Sequence, residues 1–240
     1  KYFYNNDKLF KEVEYKNNEL NGLYKSFYED GEPLEETHFV RGKKDGSTKE
    51  YYPGGKLKVQ TVYKEDKENG LQIQYLETGG IFRETEFKED KKNGIWKQYY
   101  ENGSLKESGF YIDDLMDGNW KYYFKEGGLQ QEENYIRSKR NGKWITYNLK
   151  GTVTNESFYI DGIEERIWKY FYDDGKLKSE VLYEKGDRVG LFREYHPNGK
   201  LKFTGGYVQG SKDGEWIEMD LEGKPVKITL WEMGKKRVEK

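Results

Sequence analysis

The sequence predicts an all-β fold: an elongated array of about nine to ten consecutive antiparallel β-hairpins that form one twisted, single-layer meander sheet. Three observations predict it. Glycine recurs every 24 residues, an aromatic residue recurs with the same period, and the chain contains no alanine. Alanine is the best helix former, so its absence disfavours helices. The 28 glycines leave short segments between them that suit strands and turns.

The 24-residue period runs without insertion or deletion. One position is always glycine: Gly31, Gly55, Gly79, Gly103, Gly127, Gly151, Gly175, Gly199 and Gly223. A second is always aromatic: Tyr15, Phe39, Tyr63, Phe87, Tyr111, Tyr135, Tyr159, Tyr183, Tyr207 and Trp231. A third is glycine with Arg166 as its exception: Gly22, Gly46, Gly70, Gly94, Gly118, Gly142, Gly190 and Gly214. Such regularity predicts a repeat architecture.

The period also predicts the domain organisation. We expect a single repeat domain over residues 1–240, with a partial repeat at 1–21 and repeats starting at 22, 46, 70, 94, 118, 142, 166, 190 and 214. Because the chain opens inside a repeat, we expect a truncated N-terminus.

Each repeat contains two strand-like segments and two turns. Segments such as 95–101 (IWKQYYE) and 177–183 (LKSEVLY) are rich in aromatic and β-branched residues, which is typical of strands. Asp30-Gly31 and Asn102-Gly103 favour tight hairpin turns, since these residue types tolerate positive φ. Longer segments such as 42–46 (GKKDG) are predicted to loop from one hairpin to the next.

A tryptophan follows the third glycine position by two residues in most repeats. The column reads Tyr24, Thr48, Gln72, Trp96, Trp120, Trp144, Trp168, Phe192 and Trp216. A tyrosine column lies five residues after the same glycine, and strand alternation gives the two columns opposite faces unless a bulge intervenes.

These residues resemble the MORN repeat, in the form of the bacterial MORN-repeat variant family. The matching residues are Asn93-Gly94-Ile95-Trp96, Tyr99-Tyr100, Asn102-Gly103, Leu105, Tyr111 and the segment 190–207. The resemblance implies consecutive β-hairpins and an interaction module. Members include antitoxins of toxin–antitoxin pairs and surface or secreted proteins, so the localisation stays open between the bacterial cytoplasm and export.

The composition argues against an enzyme and against a cofactor. The chain has no cysteine, and its two histidines, His38 and His196, lie six repeats apart. No metal or cofactor motif is present, and carboxylates are scattered over the repeats. The net charge of −2, with both signs interspersed, excludes nucleic acid as an expected partner and disfavours an anionic membrane.

Two sets of residues are candidates for partner binding. The first is the tryptophan column, Trp96, Trp120, Trp144, Trp168 and Trp216, whose rings form either a structural ladder, the favoured interpretation, or a groove that stacks on a ligand. The second is the apolar residues of the predicted inter-hairpin loops, Leu115, Met116 and Ile163. These either contact a partner or fold back onto the strands.

The sequence therefore predicts a non-enzymatic scaffold for protein–protein interaction, in its most concrete form an antitoxin or immunity-type neutralising protein. The alternative is a secreted or surface-exposed bacterial module that binds a host protein or a glycan. The terminal segments Tyr2–Tyr4 and Ile228–Trp231 present strand edges, which predicts end-to-end self-association.

Overall fold

The structure is a computed structural model, and it describes residues 1–239. Every regular element in that range is a β-strand. The chain forms two compact units: Lys1–Asp117 with Lys125–Gly127, and Gly118–Phe124 with the chain from Gly128 onward. The all-β hairpin fold predicted from the sequence is confirmed.

The first unit is an antiparallel meander in which consecutive strands pair. Its strands are β1 (Tyr2–Phe3), β2 (Leu9–Lys16), β3 (Glu19–Phe27), β4 (Pro33–Val40), β5 (Lys43–Tyr51), β6 (Leu57–Lys64), β7 (Lys67–Glu68), β8 (Gly70–Tyr75), β9 (Ile81–Lys88), β10 (Lys91–Tyr99) and β11 (Leu105–Ile112). β7 and β8 both pair with β6, so they are two parts of one interrupted strand.

The second unit repeats the same meander, and β12 (Leu115–Tyr123) begins in the first unit and ends in the second. The remaining strands are β13 (Leu129–Ile136), β14 (Lys139–Arg140), β15 (Gly142–Tyr147), β16 (Val153–Ile160), β17 (Ile163–Glu164), β18 (Arg166–Phe171), β19 (Leu177–Glu184), β20 (Asp187–Tyr195), β21 (Leu201–Val208), β22 (Ser211–Met219), β23 (Pro225–Glu232) and β24 (Lys235–Glu239).

The turn at each hairpin tip has three residues. Tyr28 N–H donates to the Glu32 carbonyl (2.8 Å) and Gly31 N–H donates to the Tyr28 carbonyl (2.9 Å), so a type I turn is closed by a glycine at φ 100°. The regular spacing of glycine in this column thus marks a turn position with a left-handed backbone.

The turn between hairpins is tighter than the sequence predicted. It contains two residues, both with positive φ, as at Glu65 (49°) and Asp66 (70°), which is a type I′ turn. The segments predicted as loops, such as 43–45 and 115–117, instead begin strands. The prediction was wrong because the first residue of each turn takes the left-handed conformation without being glycine, as at Arg41 and Asp113, and such residues give a weaker sequence signal than glycine.

A wide bulge follows each type I′ turn. Thr37 lies opposite Thr48 and Phe39 opposite Lys44, so three residues on β4 face five on β5. Gly46 lies in this bulge with φ 115°, a conformation that disfavours any side chain. The bulge explains the third periodic position, and at its exception Arg166 takes φ 64°.

The two faces of the sheet have different compositions. Tyr51 Oη, from the tyrosine column, donates to Glu36 Oε2 (3.2 Å), and Glu36 pairs with Lys25 (3.2 Å). The same face carries further Lys–Glu and Arg–Glu pairs, and we call it the charged face. The tryptophan column lies on the opposite face, the ring face, as alternation requires.

The core lies on the ring face, where each tryptophan packs on small residues of its neighbours. Trp216 lies 5.0 Å from the Tyr207 ring and 5.3 Å from the Phe203 ring, between centroids. It covers Gly205, where an added Cβ would lie 2.2 Å from the indole. The residues that lie opposite the tryptophan column are mostly small: Thr37, Thr61, Thr85, Gly109, Glu133, Ser157, Val181, Gly205 and Thr229.

Hydrogen bonds join consecutive hairpins at their tips. Tyr4, Tyr28 and Tyr52 donate their hydroxyls to the carbonyls of Phe27, Tyr51 and Tyr75 in the first unit. Tyr172 donates in the same way to Tyr195 in the second unit. In these four repeats the bond fixes the tyrosine that follows the aromatic residue of the tyrosine column.

We expect Gly205→Ala to lower the free energy of unfolding by about 1–3 kcal/mol, because the new methyl group overlaps the Trp216 ring. In a Trp216→Ala background, which itself costs about 3–5 kcal/mol, the same methyl group has space and costs close to nothing. Urea denaturation of the four proteins measures the coupling. An equal cost of Gly205→Ala in both backgrounds would contradict the packing described.

Candidate interaction surfaces

The predicted tryptophan column is built into the core. Trp120 and Trp216 are 2% exposed, Trp96 is 6% and Trp144 7%, and Trp168 is half-buried. The indole N–H groups of Trp144, Trp168 and Trp216 donate to the backbone carbonyls of Asn134, Phe158 and Gly206. Rings with this burial have little surface to offer a ligand, which supports the structural-ladder interpretation.

Leu115, Met116 and Ile163 do not lie in loops. Leu115 and Met116 are the first residues of β12 and are half-buried in the first unit. Ile163 begins β17 in the second unit, directly opposite Ile160. Of the three, Ile163 alone is exposed, at 47%. The structure therefore places these candidates in two separate regions.

Ile163 belongs to a row of exposed aliphatic side chains in the second unit. Its cross-strand neighbour Ile160 is 44% exposed, and Ile167, opposite Leu182, is 51% exposed. Leu191, one repeat after Ile167, is 49% exposed. We call Ile160, Ile163, Ile167 and Leu191 the aliphatic row. Exposed apolar side chains grouped on one sheet are typical of interaction surfaces.

Basic side chains cover the ring face of the second unit. The Arg140 guanidinium lies 4.5 Å from the Trp144 ring, and Arg188 Nε donates to Tyr183 Oη (3.0 Å). Lys212 Nζ lies 4.2 Å from the Trp216 ring, and burial lowers the pKa of its ammonium group. These cations cover the rings and reduce the apolar surface that the rings expose on this face.

The ring face of the first unit is different, because Thr48 and Gln72 interrupt the tryptophan column. Gln72 Nε2 donates to Glu68 Oε1 (3.0 Å), and Gln74 Nε2 donates to Gln72 Oε1 (3.0 Å). Arg83 Nη2 in turn donates to Gln74 Oε1 (2.8 Å). A polar chain from Glu68 to Arg83 thus replaces the ring packing.

A cavity of about 410 Å³ adjoins this polar chain at the hairpin tips. It is lined by Tyr52, Lys58, Val59, Gln74, Tyr75, Leu76 and Phe82. The periodic pattern of the sequence does not point to Arg83, Gln74 or Phe82. The signal that was available is the interruption of the tryptophan column at Gln72, two residues before Gln74.

A second break in symmetry is Glu133, which is 7% exposed in the column of small residues. Tyr135 Oη and Gln131 Nε2 each donate to its carboxylate at 2.6 Å. Burial and then the hydrogen bond to Glu133 raise the pKa of Tyr135 above its ordinary value. The carboxylate is therefore satisfied within its own hairpin.

Residues 1–239 contain no cluster of three or more His, Asp or Glu side chains placed to hold a metal ion. No helix suited to crossing a membrane occurs in that range either.

The sequence profile described as "MORN repeat variant" matches six segments of the chain, which together cover more than half of it: residues 20–41, 44–65, 92–113, 116–137, 167–185 and 188–209. The chain belongs to the MORN repeat variant family. MORN repeats form a non-enzymatic type of scaffold that generally mediates interactions with proteins or membrane lipids.

Comparisons with other proteins add little beyond the family. No curated protein matches the chain. Two solved structures have TM-scores of 0.22 and 0.19: the "TcdB2-TccC3-Cdc42" complex, at 12% identity, and a porin-like protein from Bacteroides uniformis, at 9% identity. The first match covers 89% of this chain and 14% of the matched structure, so this chain spans only a small part of that structure. The second match covers 91% of this chain and 86% of the matched structure.

The polar chain from Glu68 to Arg83 predicts a pH-dependent stability. Burial, and then the nearby charge of Asp90, raise the pKa of Glu68, so its ionised form costs the folded state free energy at neutral pH. We expect Glu68→Gln to raise the melting temperature at pH 7. The gain should disappear as the pH falls below 4.5, the ordinary value, where wild-type Glu68 is protonated in both states.

Glu89→Gln is the matched control, because an ion pair with Lys67 lowers the pKa of Glu89. This substitution should leave the melting temperature unchanged or lower it at pH 7. Thermal unfolding monitored by circular dichroism from pH 4 to pH 8 measures both variants. A Glu68→Gln protein that is less stable than wild type at pH 7 would contradict the burial penalty.

Proposed function

We propose that this MORN-repeat chain is a non-enzymatic scaffold that binds a protein partner and neutralises it by covering its surface, as an antitoxin or immunity-type protein does. The observation that carries the proposal is the aliphatic row of the second unit. Its four side chains remain 44–51% exposed although the same unit buries its tryptophans. Exposed aliphatic groups on a rigid sheet suit a protein surface.

The arrangement of the sheet supports this function. Periodic residues build the frame: glycines in the turns and bulges, tryptophans in the core, and tyrosines at the hairpin tips. The aliphatic row and the residues that follow each type I′ turn vary from repeat to repeat. In repeat proteins, variation on a constant frame supplies specificity.

The alternative, a secreted or surface-exposed module that binds a glycan, receives less support. Sugars stack on exposed aromatic faces, and four of the five tryptophans that suggested such stacking are buried, with Trp168 half-buried. A host protein as ligand would use the same aliphatic row, so the protein-binding proposal covers both settings.

The test is co-expression with the product of the neighbouring gene, scored by growth and by co-purification. We expect the wild-type chain to bind and neutralise that product, and Ile163→Lys to weaken binding by about tenfold or more, since it places a charge in an apolar contact. Leu115→Lys and Met116→Lys test the two candidates of the first unit in the same assay.

Leu149→Lys is the matched control, because it adds the same charge to a 72% exposed leucine at a hairpin tip of the second unit. It should bind as the wild type does. If no neighbouring product is bound or neutralised, the antitoxin version fails and the scaffold class remains. Equal binding by the Ile163→Lys variant would remove the aliphatic row from the proposal.

A further inference from the structure

We propose that the tips of the β5–β6 and β8–β9 hairpins bind an acidic segment of a protein partner, with its carboxylate at Arg83 and Lys58 and an adjacent apolar side chain in the cavity between Tyr52 and Phe82. This inference rests on the scaffold function proposed above and assigns a chemistry to one site in the first unit.

The walls of the cavity are fixed by the fold. The hydroxyl of Tyr52 donates to the Tyr75 carbonyl at 2.8 Å, so its ring cannot swing away without losing that bond. Val59 on β6 lies directly opposite Gln74 on β8, which holds the two hairpins in register below the cavity. Leu76 and Phe82 complete an apolar lining. A cavity of about 410 Å³ with such walls suits an aliphatic or aromatic side chain.

Arg83 supplies a cation with unused hydrogen-bonding capacity. Its Nη2 donates to Gln74 Oε1 at 2.8 Å, and its guanidinium lies 5.8 Å from the Phe82 ring centroid. Its Nε is buried and has no acceptor in the structure. A guanidinium with an unsatisfied donor and a half-buried side chain is suited to a carboxylate from outside the chain.

Arg83 also lacks a carboxylate partner within residues 1–239, since no ion pair there includes it. Gln74 links this cation to the cavity, because its amide oxygen accepts from Arg83 while its side chain lines the cavity wall. The charged group and the apolar walls therefore form one continuous site.

Lys58 places a second cation at the same site. Its Nζ lies 6.0 Å from the Tyr52 ring centroid, and the side chain is exposed. None of the seven residues that line the cavity is acidic. In contrast, lysines on the charged face are paired, as Lys97 is with Glu84 and Lys25 with Glu36. Lys58 and Arg83 at this site, with no acidic lining residue, favour an acidic ligand.

The experiment uses the full chain and two synthetic peptides: acetyl-Asp-Glu-Phe-Asp-Leu-amide and its neutral counterpart acetyl-Asn-Gln-Phe-Asn-Leu-amide. Nitrogen–proton correlation NMR follows the Arg83 Nε–H and the Gln74 side-chain amide during titration. We expect the acidic peptide to bind and shift both signals, and the neutral peptide to bind about tenfold more weakly.

Two variants test the two parts of the site. Arg83→Gln removes the charge and Phe82→Ala removes one wall. Each substitution should lower the affinity for the acidic peptide by about tenfold. The matched control is Lys106→Gln, since Lys106 also lies 6.0 Å from a tyrosine ring, that of Tyr100, at the equivalent position two repeats after Lys58. It should bind the peptide as the wild type does.

The outcomes separate this site from the scaffold function. Equal affinity for the two peptides, no peptide binding, or no effect of Arg83→Gln and Phe82→Ala would each overturn the site. If a protein partner binds the wild type, Arg83→Gln and Phe82→Ala with equal affinity, the scaffold function remains and this site is not part of it. Peptide binding at Arg83 by a chain for which no protein partner is found would support the site and count against the scaffold function.

Discussion

The structure depends on one interaction: an indole ring of one hairpin packs over a small residue of the hairpin before it. A single sheet has no second layer to cover it, so the rings on one face must supply the core. Trp216 over Gly205 and Trp144 between Tyr135 and Tyr159 show how little space is left. The glycine bulge that follows each type I′ turn allows the two strands to keep this arrangement in every repeat.

The constancy of the frame explains where function can reside. A column that must fit a ring against a small residue cannot also vary to recognise a ligand. The two units use this frame differently. In the first, Thr48 and Gln72 replace rings by a polar chain that ends at Arg83 and an apolar cavity. In the second, Arg140 covers the Trp144 ring, and Ile160, Ile163, Ile167 and Leu191 are exposed.

Much of the frame could be predicted from the sequence because its signals are periodic. The glycine at each hairpin tip and the strands beside it follow directly from residue spacing, and so does the structural role of the tryptophans. The turns between hairpins were misassigned because the first residue of each turn, such as Glu65 or Asp161, takes positive φ without being glycine. Leu115, Met116 and Ile163 therefore begin strands and do not lie in loops. Arg83 escaped notice because its importance depends on cross-strand neighbours that only the register reveals.

The most direct test of the account is native-state hydrogen exchange on a Trp144→Ala variant. If ring packing joins each hairpin to its neighbours, the amides of β13, β15 and β16 should lose protection, since these strands carry Trp144 and its partners Tyr135 and Tyr159. Amides of β3–β6 in the first unit should keep theirs. Unchanged protection in β13, β15 and β16 would contradict the central role given to the ring.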